Sequence, residues 1–158
     1  MQNFKTAESV SPKHPDKLCD QISDAILDAY LTDDPNARVA VETMGGHGKV
    51  FVVGEVSSKS HPDIAPIVQR IAGDVELEVR LVKQSPEIAR GVDEGGAGDQ
   101  GIMVGYACND TPELVPLELA LARSLNQYLF ERWPFDGKTQ VTLSDNEIVS
   151  IVASFQHA

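Results

Sequence analysis

The stretch HPDKLCDQISDAILD, residues 14–28, decides the fold of the first part of the chain, because its apolar and acidic residues fall on different faces of one helix. Pro15 suits the first turn of a helix, where its missing N–H is not needed, and an acidic residue there complements the helix dipole. Side chains four positions apart lie above one another, so one stripe collects four aspartates: Asp16, Asp20, Asp24 and Asp28. We predict a helix over residues 15–30. Its aspartate stripe is either an ordinary solvated face or, at its first member, part of a binding site.

The residues after this helix predict a hairpin, a short helix and a strand. RVAVETM (38–44) and KVFVVGEVSS (49–58) alternate as strands around the turn GGHG. A helix over 61–73, weakened or kinked by Pro66, comes next. VELEVRLV (75–82) alternates cleanly between apolar and charged residues, which predicts a half-buried strand.

The second half predicts a long loop, a strand, a long helix and a closing hairpin. These are the loop 83–101, the strand 102–108, the helix 111–133 with Thr111 as its cap, and a hairpin over 138–158 that turns at Ser144–Asn146. A loop of that length in a compact domain is usually functional or mobile. Helices that alternate with paired strands predict an α+β fold, with helices on one face of a mostly antiparallel or mixed sheet. The order of predicted elements in the two halves is weakly similar, which suggests an internal duplication.

Composition excludes some classes of partner. The chain of 158 residues suffices for one domain or two small halves. A formal net charge of −11 argues against non-specific binding to nucleic acid or to an anionic membrane, although a few placed cations or a metal could still hold a small polyphosphate. No apolar run approaches the roughly 20 residues of a membrane helix, and MQNFKTAESV has no apolar signal core, so we expect a cytoplasmic protein. Cys19 and Cys108 sit in no CxxC pair and are expected to be reduced.

Three groups of residues are candidates for chemistry. His14, Asp16 and Lys17 at a helix start could bind a phosphate and its metal, although spacing alone favours a capped helix with exposed charges. Glu42 and Glu55 each stand among apolar strand residues, and they face either the buried side, where an acid needs a partner or a cation, or the solvent. The glycine-rich run GGAGDQG (95–101) either lets backbone N–H groups approach a phosphate or forms a flexible surface loop.

Several segments together resemble the N-terminal part of S-adenosylmethionine synthetase, also called methionine adenosyltransferase. In order, they are ESVSPKHPDKLCDQISDAILDAYLTDDPNARVAVET (8–43), KQSPEIARGVD (83–93), GAGDQGIMVGYA (96–107), and KTQV (138–141) followed by QH (156–157). The resemblance implies a fold of two-layer α/β sandwich repeats, three of them around a pseudo-threefold axis, which would explain the similarity between the halves.

The resemblance also implies an activity, that of a transferase of one-carbon metabolism. In the family's reaction the sulfur of L-methionine attacks C5′ of ATP, and the tripolyphosphate that is released is hydrolysed to pyrophosphate and phosphate. The family uses Mg²⁺, two ions per site, and K⁺. It forms homodimers, often paired to tetramers, with each active site between two subunits.

Position by position, the resemblance assigns roles to residues of this chain. The ATP-binding set is His14, Lys17, Asp99, Asp136, Gly137 and Lys138, of which His14 and Lys138 are the catalytic pair. Methionine would be contacted by Glu55 and by Gln84, which opens the gating loop. Asp16 resembles a Mg²⁺ ligand, and Glu42 resembles the K⁺ ligand.

The resemblance implies a domain plan as well: an N-terminal synthetase-type domain over 1–83, a mobile gating loop over 84–98, and a partial central domain over 99–158, with the third domain absent. Lys13 stands where the family usually has glycine, and the stretch 58–83 and the loop near 93–96 look shorter than in bacterial members. We therefore expect a truncated or incomplete synthetase that is inactive alone. The alternative is the non-catalytic half of a split enzyme, or a regulatory or binding module that pairs with a synthetase subunit.

Overall fold

The computed structural model describes residues 3–93 and 95–157, apart from the side chains of Ile88 and Asp93. The described chain forms, in order, β1 (Phe4–Val10), α1 (Pro15–Asp33), β2 (Arg38–Gly46), β3 (Lys49–Ser57), α2 (Ile64–Ala72), β4 (Glu76–Lys83), α3 (Pro86–Asp93), α4 (Leu117–Phe130), β5 (Gly137–Ser144) and β6 (Glu147–Phe155). The chain divides into two compact units. We call Leu18–Ile102 the middle unit, and Met1–Lys17 together with Met103–Ala158 the terminal unit. None of the helices in the described ranges combines the length and apolar character that a membrane crossing requires.

The middle unit is a mixed three-stranded sheet with helices on one face. Its strand order is β2-β3-β4, in which β2 and β3 are antiparallel and β3 and β4 are parallel. The apolar face of α1 and the face of α2 pack on the same side of this sheet, and the buried residues of that core are Ile22, Ile26, Tyr30, Val50, Val52, Ile64 and Val68. Full burial of each aliphatic side chain contributes about 1.5–3 kcal/mol to folding, so this core dominates the stability of the unit.

Glycine is required at one position where the backbones of β2 and β3 approach each other closely. Gly54 has a φ of 153°, and a Cβ atom built on it would lie 2.0 Å from the carbonyl oxygen of Ala40. Only glycine accepts both that backbone angle and that approach. The position keeps the two strands in register, with Gly54 opposite Val41.

The terminal unit is an antiparallel sheet of order β1-β5-β6 with α4 packed on β1 and β5. Its buried apolar residues are Ala122, Val141 and Leu143. Two polar groups join the layers: the hydroxyl of Thr139 donates to the carbonyl oxygen of Ala122 at 2.8 Å, and the amide of Asn126 donates to the carbonyl oxygen of Ser9 at 3.0 Å. Each unit is thus a two-layer α/β arrangement, and the predicted α+β fold class is confirmed.

Both predicted hairpins are present, and their turns have the expected chemistry. The first turns at His47 and Gly48, whose φ angles are 51° and 76°, and the second at Asp145 and Asn146, whose φ angles are 51° and 67°. Two consecutive residues with positive φ define the type I′ turn that matches strand twist. The helix predicted over 15–30 is also confirmed and continues to Asp33.

Several predicted elements differ from those observed. The strand β1 was not anticipated, and the residues predicted as a strand, 102–108, form none, with Ile102 93% exposed. The predicted loop 83–101 contains the helix α3. Pro66 falls in the first turn of α2, two residues after Ile64, where a proline N–H is not needed, so the helix continues through it to Ala72.

The long helix predicted over 111–133 begins later, at Leu117. Pro116 takes the N-cap position with ψ at 146°, and a residue before a proline avoids helical angles, so the helix cannot extend backwards through this point. The predicted cap residue, Thr111, instead closes a turn in which its hydroxyl donates to the carbonyl oxygen of Val115 at 2.8 Å.

Candidate functional site

In the terminal unit, the buried Ser11 joins two segments that are far apart in the sequence. Its backbone N–H donates to the carbonyl oxygen of Gly137 at 2.8 Å, and its hydroxyl donates to that of Phe135 at 2.9 Å. Its own carbonyl oxygen accepts from the backbone N–H of His14 at 3.0 Å. The side chain is 0% exposed. The loop that carries HPDK is therefore held against the start of β5, where the segment DGK (136–138) begins.

His14 and Asp16 form a local pair at the start of α1. The backbone N–H of Asp16 donates to Nδ1 of His14 at 3.2 Å, and the carboxylate Oδ2 of Asp16 lies 3.6 Å from the same nitrogen. A ring nitrogen that accepts a hydrogen bond is unprotonated, so neutral His14 carries its proton on Nε2. The imidazole is 21% exposed, whereas the Asp16 side chain is 79% exposed. His14 thus presents an N–H donor, with a well-solvated carboxylate beside it.

Lys13, at the position where the sequence resemblance implies glycine, does not have a positive φ. The described residues other than glycine with positive φ are His47, Leu114, Asp145 and Asn146, so Lys13 does not need the backbone freedom of glycine. Its backbone N–H donates to the hydroxyl of Ser11 at 3.3 Å.

The segment Asp136–Lys138 contributes a cation and an unsatisfied acceptor. Nζ of Lys138 lies 2.8 Å from Oε2 of Glu8 across the β1–β5 pair, and both side chains are about half exposed. Oδ1 of Asp136 is buried and has no hydrogen-bond partner among the described residues. A buried acceptor without a donor is costly, so Asp136 fits a position that a bound ligand would complete. Gly137 is buried beneath the ring of Phe155, which leaves no room for a Cβ atom.

In the middle unit, Glu42 and Glu55 lie on the open face of the sheet. The register pairs Ala40 with Glu55 and Glu42 with Val53, and residues opposite one another share a face. Val39 and Val41, which alternate with Glu42, pack on the core. The question left open by the sequence is thus answered: both carboxylates point away from the core, Glu42 being exposed and Glu55 half-buried.

Gln84 and Asp99, also in the middle unit, are held by different contacts. Oε1 of Gln84 accepts from Nε of Arg38 at 3.0 Å, just past the end of β4. The exposed Asp99 accepts a local bond from the backbone N–H of Gln100, at 2.7 Å. The predicted gating loop 84–98 contains α3, and Glu94 within it lies outside the described residues.

The other candidate residues are simply solvated. Asp20, Asp24 and Asp28 are exposed along α1, as is Lys17. Asp16 is exposed in this structure as well, like the later members of the stripe. The sequence provides the spacing of the stripe, but burial does not set its first member apart.

For metals, this chain offers separate ligands instead of a closed cage. Within residues 3–93 and 95–157, no three His, Cys, Asp or Glu side chains come together as metal ligands. Asp16 is a single exposed carboxylate, which suits Mg²⁺, an ion that usually keeps several waters and takes one or two carboxylates plus phosphate oxygens. Its donor chemistry therefore fits one ligand of a site that substrate would complete.

Sequence reasoning missed the residues that position the site: Ser11, Glu8 and Arg38. Ser11 and Glu8 follow or lie within β1, whose alternating FKTAESV pattern was the available signal. Arg38 opens β2 opposite Ser57, and nothing local in the sequence points to its contact with Gln84. Long-range contacts of this kind depend on strand pairing.

Comparisons with known proteins agree over nearly the whole chain. The model of the S-adenosylmethionine synthetase N-terminal domain matches residues 2–91, and that of the S-adenosylmethionine synthetase central domain matches residues 94–158. S-adenosylmethionine synthase 1 of Frankia casuarinae is 42% identical over 194 positions, covering 97% of this chain and 48% of that protein. The synthase of Parasynechococcus marenigrum is 42% identical, covering 96% of this chain and 46% of that protein, and the synthase of Nocardia farcinica is 41% identical, covering 97% and 48%.

The lengths in these comparisons carry two further facts. The chain spans about half the length of the curated relatives it matches. Because about 153 residues of this chain are spread over 194 positions, about forty positions of the Frankia comparison fall in gaps of this chain. That these gaps fall between Ser58 and Lys83 and near 93–96 stays a prediction.

Proposed function

Because this chain belongs to the S-adenosylmethionine synthetase family, we propose that it supplies the N-terminal part of the machinery that makes S-adenosylmethionine from ATP and L-methionine. The observation that carries the proposal is the terminal unit's junction, in which Ser11 holds the HPDK loop against the start of β5. That junction supports the proposal because it joins the loop that carries HPDK to the segment before and at the start of β5, although more than a hundred residues separate HPDK from DGK.

In the proposed reaction the sulfur of methionine attacks C5′ of ATP. A C–S bond forms as the bond from C5′ to oxygen breaks, and the electron pair leaves with tripolyphosphate, which is then hydrolysed to pyrophosphate and phosphate. His14 donates from Nε2 to a phosphate oxygen, and Lys17 and Lys138 offset the polyphosphate charge. Lys138 can turn from Glu8 to the ligand at little cost, because an exposed ion pair is worth about 0–1 kcal/mol.

The middle unit holds methionine in this proposal. Glu55 and Gln84 contact the amino acid, and Asp99 contacts substrate from the glycine-rich segment. Residues 84–98 act as a gating loop that excludes water while the sulfonium forms. The arginine bond to Gln84, at 3.0 Å, supports this role because it fixes the residue at the base of the loop.

Two kinds of cation belong to the proposal. Asp16 holds Mg²⁺, one of two such ions per site, and Glu42 holds K⁺. When bound, Mg²⁺ supplies neutralising charge for the phosphates. The exposure of Asp16 and its position within a turn of His14 support the first assignment, and the open-face placement of Glu42 supports the second.

The proposal extends to the oligomeric state of the protein and to its cellular compartment. We propose a homodimer or tetramer with the active site between subunits, in the cytoplasm, and the domain plan 1–83, 84–98 and 99–158. Apolar residues on the open face of the middle sheet support a subunit contact there: Met44 is 68% exposed, Val53 44% and Val82 59%. Exposed apolar patches of this kind mark interaction surfaces.

Titration of ATP with Mg²⁺ into the full chain, followed by calorimetry, tests the site. Asp16→Asn should weaken the Mg²⁺-dependent part of ATP binding by about tenfold, since a charge-assisted contact is worth about 1.5–3 kcal/mol. The matched control is Asp24→Asn, which removes the same charge two turns further along α1. Equal affinities for both variants would remove Asp16 from the proposed site.

For the chain by itself we propose little or no synthetase activity, because it spans about half of its relatives' length. Formation of S-adenosylmethionine at the rate of a full-length relative, from ATP, methionine, Mg²⁺ and K⁺, would contradict this.

A second candidate function is a non-catalytic half that pairs with a separate synthetase polypeptide. The apolar run at residues 102–104, in which exposure is 89–93%, favours it because such a run needs a partner in water. Adding the C-terminal half of the Nocardia farcinica relative should then restore activity, and unchanged activity after the addition would reject this second candidate.

A further inference from the structure

The middle unit carries a groove that the proposed synthetase site does not use. Two adjoining clefts, of about 350 and 300 Å³, share Ser57, Ser58 and Lys83, and we call them together the serine–lysine groove. The groove lies where the parallel strands β3 and β4 end, with Val56 opposite Lys83 in the register. Ligands commonly bind outside the carboxyl ends of parallel strands. None of the residues assigned to ATP, methionine or cations lines it.

The charges along the groove favour an anion. Among the described residues, its lining includes Arg38, Lys59 and Lys83 and a single carboxylate, that of Asp34, in a chain whose net charge is −11. A local excess of cations on a strongly acidic protein concentrates anions at that place.

The single carboxylate is already engaged. Oδ2 of Asp34 accepts from the backbone N–H of Lys59 at 2.8 Å and from the hydroxyl of Ser58 at 2.9 Å, and Oδ1 accepts from the backbone N–H of Asn36 at 3.2 Å. The N–H of Lys59, followed by the Ser58 hydroxyl, holds the pKa of Asp34 below its usual range. Asp34 therefore fixes the loop after β3, and both of its carboxylate oxygens already accept hydrogen bonds.

The groups that would meet a ligand are Lys83 and Ser57. Within the described part of the chain, Lys83 has no carboxylate at ion-pair distance, and the hydroxyl of Ser57 makes no side-chain hydrogen bond. Arg38 is oriented beside them by its bond to Gln84. An ammonium and a hydroxyl can both donate to one anionic head group.

Part of the lining of the groove is apolar. This part consists of Tyr30, Val56, Leu81 and Val82. A ligand that suits both the charged and the apolar lining has a charged end and a short hydrocarbon body. We infer that the serine–lysine groove binds a small organic anion, whose carboxylate or phosphate head faces Lys83 and Ser57 and whose apolar body lies against Val56 and Leu81.

The test uses the full chain and a probe of this chemistry, 3-methylbutyrate, followed in amide proton–nitrogen NMR spectra. Shifts should concentrate at the amides of Ser57, Ser58 and Lys83. The neutral 3-methylbutyramide has the same shape without the charge and should bind about tenfold more weakly, because the charge-assisted hydrogen bond is lost. Inorganic phosphate, an anion without an apolar body, should also bind more weakly than the probe.

Two variants locate the site. Lys83→Gln should weaken 3-methylbutyrate binding by about tenfold, whereas Arg123→Gln, which removes one positive charge from an exposed position of α4, should leave it unchanged. Unchanged binding in Lys83→Gln, or equal binding of the acid and the amide, would overturn the inference. Loss of probe binding in Glu55→Gln together with retained binding in Lys83→Gln would also overturn the inference, because the probe would then occupy the proposed methionine site. Neither outcome bears on the proposed binding of ATP at Asp16, which is tested separately.

Discussion

Replacing Ser11 by alanine removes the side-chain hydrogen bond that ties the HPDK loop to the segment just before β5. The hydroxyl of this fully buried residue donates to the carbonyl oxygen of Phe135 at 2.9 Å and accepts from the backbone N–H of Lys13 at 3.3 Å. The first bond is worth about 1 kcal/mol net and the longer second one less, and the carbonyl oxygen of Phe135 loses its donor in a part-buried position, which adds a desolvation cost. The backbone bond from Ser11 to Gly137 survives the substitution. The expected loss in the free energy of unfolding is about 1.5–2 kcal/mol.

The same unit offers a matched control in Ser144. This residue is also buried, at 6% exposure, but its hydroxyl has no hydrogen-bond partner among the described residues. Ser144→Ala removes a desolvated hydroxyl without breaking a bond, so the free energy of unfolding should stay the same or rise by up to about 1 kcal/mol. The two serine-to-alanine changes are thus expected to act in opposite directions.

Urea unfolding followed by tryptophan fluorescence measures both effects. The only tryptophan, Trp133, lies in the terminal unit, so its emission reports that unit. With a urea dependence of about 1–2 kcal/mol per molar, Ser11→Ala should lower the midpoint by about 1 M. An unchanged midpoint for Ser11→Ala, or a loss in Ser144→Ala as large as that in Ser11→Ala, would refute the reasoning that the Ser11 hydroxyl secures this junction.

Two further predictions concern a glycine and a carboxylate. Gly137→Ala would place a Cβ atom 2.3–2.5 Å from the ring of Phe155 and should lower the free energy of unfolding by about 1–3 kcal/mol in the same urea assay. Adding Phe155→Leu should recover part of this loss. The control Gly105→Ala, with no atom within 4 Å of its Cβ, should be nearly neutral. Asp34 has a pKa lowered chiefly by the N–H of Lys59, so its stabilisation is present above the unfolded-state pKa of about 4 and is lost as the pH falls through the folded-state value. Asp34→Asn should therefore lower the midpoint of thermal unfolding, measured by circular dichroism, at pH 7, and the difference from the parent chain should shrink as the pH falls below the unfolded-state pKa of about 4. A difference that did not depend on pH would contradict this.

The elements that local pattern specifies were predicted well. The helix α1 follows from the separation of apolar and acidic positions, and the hairpins at His47–Gly48 and Asp145–Asn146 follow from turn residues that accept positive φ. These features depend on neighbours within a few positions, so a single sequence contains the necessary information.

The elements that were predicted wrongly depend mostly on strands that lie far away in the sequence. The run 102–108 has the composition of a strand, yet it pairs with no other strand in the described chain, whereas the more polar β1 becomes a strand because β5 pairs with it along seven residues. Strand propensity reflects the fit to a neighbouring strand more than a backbone preference. The start of α4 was misjudged because two prolines, Pro112 and Pro116, each suit the beginning of a helix, and the observed helix begins after the second.

The sequence alone determined the family, the α+β class and the candidate residues, since motif identity and local periodicity are properties of short segments. Only the tertiary structure decided that Glu42 and Glu55 face away from the core, that Ser11 binds the HPDK loop to Phe135 and Gly137, and that Arg38 contacts Gln84. Each of these depends on strand register, and a shift of one residue would turn every side chain of a strand to the other face. Register is set by the packing of the whole sheet, so it can be read only where that sheet has formed.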